Sequence, residues 1–131
     1  YSQLTYAAPY VELIEEYTLT EHLEILLKNN YLPASITLDI LEDFIDLQPG
    51  KFKRIKNYSS GMRQKIKLGF ALLSDRPVLL LDEPTTNFDE QAKNWFFNRL
   101  EQQRHKLIII ASNEAREIEF CHEKIAIQDF K

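Results

Sequence analysis

The amino-acid sequence predicts an α/β fold, in which a parallel sheet carries an inserted group of helices. Two stretches, "VLLLD" (78–82) and "LIIIA" (107–111), are apolar on consecutive residues. Such runs are typical of parallel strands buried on both faces. A helical stretch (88–103) separates them, and alternation of strand and helix indicates a parallel sheet. Residues 10–75 are mainly helical in pattern, so we expect a helical subdomain inserted into the α/β part.

Local signals define the first elements of the chain. A short strand is predicted at Leu4–Ala8, and Pro9 ends it. Thr18 stands three residues before Glu21, which is the capping-box spacing that begins a helix. We expect this helix to end near Asn29.

Two further helices complete the predicted helical subdomain. One follows Pro33 and ends at a turn at 48–51, and the other begins at the "SSG" of 59–61. Helical spacing predicts an apolar face for each of them, made of Ile36, Ile40, Phe44 and Leu47 in the first and of Met62, Ile66, Phe70 and Leu73 in the second.

The α/β part consists of residues 1–9 and 76–131. In the helix between its two apolar runs, Asp89 is a favourable first-turn acid. A short helix is predicted at 113–120. The segment "KIAIQ" (124–128) is predicted to add a third strand to this half.

Composition narrows the class of protein. The 131 residues are 44% hydrophobic and 27% charged, which is the profile of a folded globular domain or a large piece of one. A net charge of −4 gives no indication of nucleic-acid binding. The apolar runs are far shorter than the roughly 20 residues of a membrane span, and the first residues lack the features of a signal peptide. Because the chain does not begin with Met, we expect it to start inside a longer protein.

The cysteine and histidine residues offer no predicted metal site. The single Cys121 excludes an internal disulfide and fits a reducing compartment. Cys121 and His122 are adjacent, but no second Cys or His stands at ligand spacing. His22 and His105 are expected to be surface residues.

Two adjacent carboxylates, Asp82 and Glu83, follow the first apolar run. Ligands of open parallel sheets bind beyond the carboxyl ends of the strands, and buried carboxylates require partners. A metal ion and a reacting water would be such partners. Alternatively, Asp82 caps the following turn with Thr85 or Thr86, which is the better explanation for an isolated acidic pair.

The surrounding motifs favour the functional interpretation. "YSSGMRQK" (58–65), "VLLLDEP" (78–84) and "NFDE" (87–90) follow one another at short spacings. With them, the chain resembles the ATP-binding subunit of ABC transporters over nearly its whole length. The three segments look like the family's LSGGQ signature, its Walker B strand with the glutamate, and its D-loop. "TLTEHL" (18–23) looks like the start of the family's helical subdomain. The resemblance implies a partial P-loop NTPase core with an inserted ABC-type α-helical subdomain.

The resemblance also implies roles for individual residues. Asp82 would hold Mg²⁺ through water, and Glu83 would orient and polarise the attacking water. Asp89 would lie at the interface of a head-to-tail dimer. The signature would bind the ATP of the second subunit through hydroxyls, a closely approaching backbone and a helix N-terminus. Its residues are Ser59, Ser60, Gly61 and Met62.

Three departures from the family pattern bear on activity. The phosphate-binding loop GxxxxGK[ST] is absent, because the chain has no glycines besides Gly50, Gly61 and Gly69. We therefore expect the chain alone to be inactive. Pro9 stands near the place of a family Gln, and Asn113 stands where the family has a His that touches the γ-phosphate. An amide carries no charge, so we hypothesise slow hydrolysis or an altered pH dependence in the intact enzyme.

The implied function is ATP hydrolysis, with ATP and Mg²⁺ as cofactors, to drive transport through a partner transmembrane subunit. The protein would lie peripherally at the cytoplasmic face of the membrane and pair with a second ATP-binding subunit, without nucleic acid. A soluble ABC ATPase acting on ribosomes or DNA repair complexes is an alternative that the acidic charge and compact helical insertion disfavour. A degenerate regulatory copy is another, supported by Pro9 and Asn113 and opposed by Asp82 and Glu83.

Overall fold

The computed structural model describes residues 3–7, 12–47 and 53–130 of the chain. These residues form an α/β fold, as predicted, with three strands, five α-helices and two short 3-10 helices (Ile55–Asn57 and Ile127–Phe130). The strands are β1 (Leu4–Ala7), β2 (Val78–Asp82) and β3 (Leu107–Ala111), and the α-helices are α1 (Leu19–Lys28), α2 (Leu38–Ile45), α3 (Ser60–Leu73), α4 (Glu90–Glu101) and α5 (Ala115–Phe120).

The strands form a parallel sheet in the order β1–β2–β3. Leu4 stands opposite Val78, and Val78 stands opposite Leu107. The helices α1, α2 and α3 lie in the connection from β1 to β2, and α4 lies in the connection from β2 to β3, as parallel pairing requires long crossovers. The prediction of a parallel sheet is confirmed.

The two faces of the sheet differ in burial. On one face, Leu79 and Leu81 are 0% and 2% exposed, whereas on the other, Leu107 and Ile109 are 60% and 50% exposed. Side chains alternate between faces along a strand. The prediction that both strands are buried on both faces is therefore wrong for β3, because the described residues leave its second face open.

The start of α1 follows the predicted capping box. The Thr18 side chain accepts a hydrogen bond from the Glu21 N–H at 3.2 Å, and the Glu21 carboxylate accepts one from the Thr18 N–H at 2.7 Å. The bond from the Thr18 backbone lowers the pKa of Glu21. α1 ends at Lys28, with Asn29 as its C-cap, as expected.

His22 is a buried residue, which corrects the expectation of a surface position. It is 8% exposed, and its ring stacks on Phe70. Its Nε2 accepts from the Ile14 N–H at 3.0 Å, and its Nδ1 donates to the Thr18 carbonyl at 3.0 Å. These two bonds fix the orientation of the His22 ring. His105 is exposed, as expected.

The predicted apolar face of α2 is confirmed only in part, because Ile36, Phe44 and Leu47 pack partly buried against the core but are not its most buried residues. Leu41 and Ile45 are fully buried, whereas Ile40 is 45% exposed. Ile36 and Leu47 lie outside the helix. The predicted face assumed a helix that covers both of these residues, but α2 has only eight residues, and its i, i+4 pair Leu41 and Ile45 enters the core.

α3 begins after its N-cap, Ser59, as predicted. Its residues Ile66 and Phe70 are buried at 0% and 4% exposure. At Gly69, α3 fits closely against α2, because a Cβ there would overlap Cγ2 of Ile45 and lie 3.9 Å from Cδ1 of Leu41. Glycine at position 69 is therefore required by the packing of α2 on α3.

Buried polar groups connect the C-terminal end of α3 to the sheet. The Lys106 ammonium donates to the carbonyls of Leu72 at 3.0 Å and Ser74 at 2.6 Å. Burial lowers the pKa of Lys106. The Thr5 and Ser74 hydroxyls are 2.7 Å apart. These bonds hold β1 and the start of β3 against the same helix end.

The predicted strand at 124–128 is wrong. Residues 124–126 have no regular structure, and residues 127–130 form a 3-10 helix. Ile125 and Ile127 are 78% and 80% exposed. The alternation of Ile and Ala suggests a strand, but the described residues pair no strand with this segment.

Some sequence predictions lie outside the described residues. These are the last residue of the first predicted strand, Ala8, together with Pro9 and the turn at 48–51. The described part of that first strand, Leu4–Ala7, is present as predicted.

The close packing at Gly69 predicts the effect of adding one methyl group. Gly69→Ala should lower the free energy of unfolding by about 1–3 kcal/mol, because over-packing outweighs the better helix propensity of alanine. Chemical denaturation measures this change. Gly61→Ala, in the same helix, is the matched control, because its Cβ would meet only the Asn87 carbonyl oxygen at 3.8 Å. Equal effects of the two substitutions would contradict the role of Ile45.

Candidate functional site

Asp82 and Glu83 lie at the carboxyl end of β2. Asp82 is half-buried and stands opposite Ala111 in the pairing of β2 with β3. Glu83 extends this pairing, since its N–H donates to the Ala111 carbonyl at 2.8 Å. The Glu83 side chain is exposed. The acidic pair therefore lies at the end of the sheet where ligands of parallel sheets bind.

A tight turn follows β2. Glu83 has a φ of 42°, a left-handed conformation that side chains other than glycine rarely adopt. The Thr86 N–H donates to the Glu83 carbonyl at 3.1 Å, and the Thr86 hydroxyl lies 3.4 Å from Oε2 of Glu83. Thr85 donates its N–H (2.8 Å) and its hydroxyl to Oε1 of Glu117. The N–H and hydroxyl groups of Thr85 and Thr86 thus donate to Glu117 and Glu83. This argues against the alternative that Asp82 caps the turn through one of these threonines.

Glu83 and Asn113 line the same cavity, which has a volume of about 380 Å³. Asn113 is exposed and follows β3 by two residues. Lys93 and Glu114, which are 3.3 Å apart, and Glu117 also line this cavity. A cavity of this volume is in the size range of small-ligand sites. Glu83 therefore lies in the same cavity as Asn113, the residue that stands where the resemblance implies a His at the γ-phosphate.

The signature segment forms the N-terminus of α3. The Ser59 hydroxyl accepts from the Met62 N–H at 3.2 Å, so Ser59 is the helix cap. Ser59 and Ser60 are exposed, and Gly61 and Met62 are half-buried. The first turn of the helix therefore presents two hydroxyls to solvent, together with backbone N–H groups that have no partner within the helix.

A second cavity, of about 190 Å³, lies beside the signature segment. Ser60 and Lys67 line it, together with Thr86 and Asn87 of the turn after β2. Burial lowers the pKa of Lys67. Thr86 and Asn87 also line the cavity of Glu83. The turn thus separates the signature segment from Glu83, and the two line different cavities.

Asp89 is the N-cap of α4. Its carboxylate accepts from the Ala92 N–H at 2.8 Å, and Glu90 is the acidic residue of the first turn. The prediction of Asp89 as a first-turn acid is therefore wrong by one position. A charged N-cap satisfies a helix N–H and interacts favourably with the helix dipole.

The described residues contain no group of three His, Cys, Asp or Glu side chains that could hold a metal ion by themselves. The adjacent carboxylates Asp82 and Glu83 are nevertheless of the type that binds Mg²⁺, which usually takes one or two carboxylates and completes its shell with phosphate and water. Burial raises the pKa of the half-buried Cys121 thiol. This disfavours the thiolate form that metal binding requires.

The sequence analysis missed two buried polar residues of the site. Gln64 is 7% exposed, and its amide donates to the Pro84 carbonyl at 3.1 Å. Glu117 is 1% exposed and binds Thr85, as described above. The only sequence signal for Glu117 was its position four residues after Asn113, in the helix that follows β3. Gln64 lies within the signature-like segment 58–65, but the motif gave it no role, and Glu117 lies in the helix predicted at 113–120.

Comparison with known proteins shows similarity to ABC transporters. A family model for the ABC transporter matches residues 5–86. The ABC transporter A family member 11 of Dictyostelium discoideum is 30% identical over 123 residues, which cover 88% of this chain and 14% of the relative. The Nod factor export ATP-binding protein I of Paraburkholderia xenovorans is 34% identical over 92 residues, which cover 68% of this chain and 30% of the relative. The chain thus spans less than a third of these curated relatives.

Solved structures share the fold. The ATP-binding subunit of an ABC transporter matches with a TM-score of 0.72 and 24% identity, over 91% of this chain and 52% of that one. A dimeric ATP-binding cassette in a post-hydrolysis state, bound to ADP and Pi, matches with a TM-score of 0.74 and 18% identity, over 90% of this chain and 55% of that one. The chain therefore corresponds to about half of such a cassette. In its described part, no helix is long and apolar enough to cross a membrane.

Proposed function

The chain belongs to the ABC transporter family, and from this premise we propose that it is part of an ATP-binding subunit that hydrolyses ATP to drive transport. The observation that carries the proposal is the shared cavity of Glu83 and Asn113 at the carboxyl end of the sheet. An exposed carboxylate there can reach a water molecule that a bound nucleotide would place in the cavity. ATP and Mg²⁺ would supply the phosphoryl group and neutralise its charge.

Each side chain of the site has a proposed part in the reaction. Glu83 orients the attacking water and accepts its proton. Asp82, which is half-buried at the end of β2, would hold the Mg²⁺ ion that neutralises phosphate charge. Asn113 donates a hydrogen bond to the γ-phosphate from its amide. The residues of this chain thus supply the water-activating half of a site, while the sequence contains no phosphate-binding loop of the form GxxxxGK[ST].

We place the signature segment in the site of a second ATP-binding subunit. Ser60 and Glu83 line separate cavities on the two sides of one turn, so the geometry favours two different nucleotides as their targets. A helix N-terminus with free N–H groups is suited to phosphate. The dimeric state of the similar cassette bound to ADP and Pi supports this arrangement. Asp89, at the start of α4, would then lie at the dimer interface.

A partner transmembrane subunit would dock on an apolar groove beside α1. The groove has a volume of about 380 Å³ and is lined by apolar side chains of β1, α1 and α3. Ile14 and Ile25 on its wall are 50% and 39% exposed. Exposed apolar patches of this kind mark interaction sites in soluble domains. The proposed location is therefore the cytoplasmic face of a membrane, by association with that subunit.

The degenerate regulatory copy remains the second candidate, because Asn113 stands where the family has a His. An amide donates a hydrogen bond to phosphate but adds no positive charge. The presence of Asp82 and Glu83 favours the hydrolytic function. ATP turnover by the full-length protein decides between the two candidates, and a nucleic-acid-stimulated rate would instead indicate the soluble ATPase.

Glu83→Gln tests the catalytic proposal in the full-length protein that contains this chain. We expect kcat to fall by about 100-fold or more, since Gln cannot accept a proton from water. Steady-state phosphate release measures the rate. Glu119→Gln is the matched control. It removes the same charge as Glu83→Gln, but at an exposed position on α5. A wild-type rate that survives Glu83→Gln would contradict the assignment.

Asn113→His tests the proposed cause of slow hydrolysis. We expect the substitution to raise kcat of the full-length protein about 10-fold, because a protonated imidazole adds positive charge near the γ-phosphate. The gain should fade as the pH rises through the titration range of the new His. The measurement is a pH profile of phosphate release for both proteins. An unchanged or lower kcat at every pH would count against the role of Asn113.

Ile25→Glu tests the docking groove. A carboxylate placed on the apolar wall should reduce the membrane-bound fraction of the full-length protein about 10-fold, because docking would bury a charge. Sedimentation of membranes from cells that also contain the transporter's own transmembrane subunit measures this fraction. Ile40→Glu is the control, since Ile40 is 45% exposed on α2 and does not line the groove. Equal retention of both variants would place the docking surface elsewhere.

A further inference from the structure

Glu117 is a buried carboxylate that has no part in the function proposed above. It lies on α5, is 1% exposed, and places Oε1 against the turn after β2. That oxygen accepts the Thr85 N–H at 2.8 Å and also the Thr85 hydroxyl. Among the described residues, its Oε2 is buried without a hydrogen-bond partner. A buried carboxylate oxygen left unsatisfied costs free energy, so packing alone does not account for an acid at position 117.

The turn that Glu117 holds contains the proposed general base. Glu83 has a φ of 42°, and its own backbone is fixed by bonds to Ala111 and Thr86. Thr85 lies between Glu83 and the rest of the turn, and the described bonds of its N–H and hydroxyl lead to Glu117. Removing Glu117 would leave two buried donors of Thr85 without their acceptor. The turn would then reorganise to satisfy them, and Glu83 would move with it.

Glu117 also connects Glu83 to Asn113. α5 begins two residues after Asn113, and Glu117 lies on the wall of the cavity that Glu83 and Asn113 share. A single side chain thus joins the segment after β2 to the segment after β3. The Glu117–Thr85 bonds therefore restrict how Glu83, the proposed water-activating group, can move relative to Asn113, the proposed phosphate contact.

We propose that Glu117 is a positioning residue for ATP hydrolysis, which fixes the distance between Glu83 and the reacting water through its bonds to Thr85. The inference rests on the proposed function, since it assigns Glu83 as the group to be positioned. Glu117 acts through the turn and does not touch the nucleotide. Its loss therefore lowers kcat and leaves KM for ATP nearly unchanged.

The test compares two substitutions of Glu117 in the full-length protein. Glu117→Ala removes both acceptor bonds, so kcat should fall between about 10-fold and 100-fold, as for a displacement of about 1 Å in a catalytic group. Glu117→Gln keeps an acceptor oxygen for Thr85, so kcat should stay within about threefold of the wild type. Glu119→Ala, at an exposed position of the same helix, is the control for changes in helix content.

Hydrogen exchange of the turn supplies a readout that does not require activity. The amides of Thr85 and Thr86 should exchange faster in Glu117→Ala, with protection retained in Glu117→Gln and in the core of β2. A purely stabilising role would instead raise exchange throughout the domain, and the apparent kcat would then fall only in proportion to the unfolded fraction. Faster exchange confined to the turn, with a lower kcat, supports the proposal.

The outcomes separate this inference from the proposed function. If the wild-type protein hydrolyses ATP and Glu117→Ala does so at the same rate, the positioning role is overturned. An equal loss in Glu117→Ala and Glu117→Gln would also overturn it, because the acceptor bonds would then be irrelevant. If the wild type shows no hydrolysis, the proposed function fails. Unchanged exchange of the turn in Glu117→Ala overturns the positioning role whether or not ATP is hydrolysed.

Discussion

The hydrogen bond from the Glu83 N–H to the Ala111 carbonyl is the contact on which the site depends. It extends the pairing of β2 with β3 by one residue beyond Asp82. Directly after this bond, Glu83 has a left-handed conformation with a φ of 42°, and the Thr86 N–H donates to its carbonyl to form a turn. The Glu83 side chain is exposed and lines the same cavity as Asn113. The register of β2 and β3 thus determines where the backbone of Glu83 lies, through one hydrogen bond.

The sheet can set this geometry because polar contacts fix the helices against it. Lys106 and Thr5 bind the C-terminal end of α3, and Gln64 near its N-terminal end binds the Pro84 carbonyl. Each bond satisfies a group that burial would otherwise leave unpaired, so each has only a narrow range of favourable geometries. α3 is thereby held at both ends. The signature segment at its start keeps a fixed position relative to the turn that carries Glu83.

The sequence was sufficient for the elements that local patterns determine. The parallel strands followed from consecutive apolar residues, and α1 followed from the capping box of Thr18 and Glu21. Tertiary contacts determined which side chains of the helices are buried. The face of α2 depends on the fit of Ile45 at Gly69, and the burial of His22 depends on a bond from Ile14 eight residues earlier. For the site, adjacency along the strands predicted which residues would meet, but long-range partners such as Glu117 leave no periodic signal.

The two glycines of α3, Gly61 and Gly69, differ in what an added Cβ atom would contact. Packing within this chain explains why position 69 is glycine, because a Cβ there would overlap Ile45. At Gly61 no such overlap occurs among the described residues, since a Cβ would stand 3.8 Å from the nearest oxygen, an ordinary contact. A helical glycine without a packing role costs about 1 kcal/mol relative to alanine. The proposed approach of a phosphate from a second subunit to the backbone at Gly61 accounts for that cost. Gly69 is thus explained by the core of this chain, whereas Gly61 is explained only by the proposed contact with the site of a second subunit.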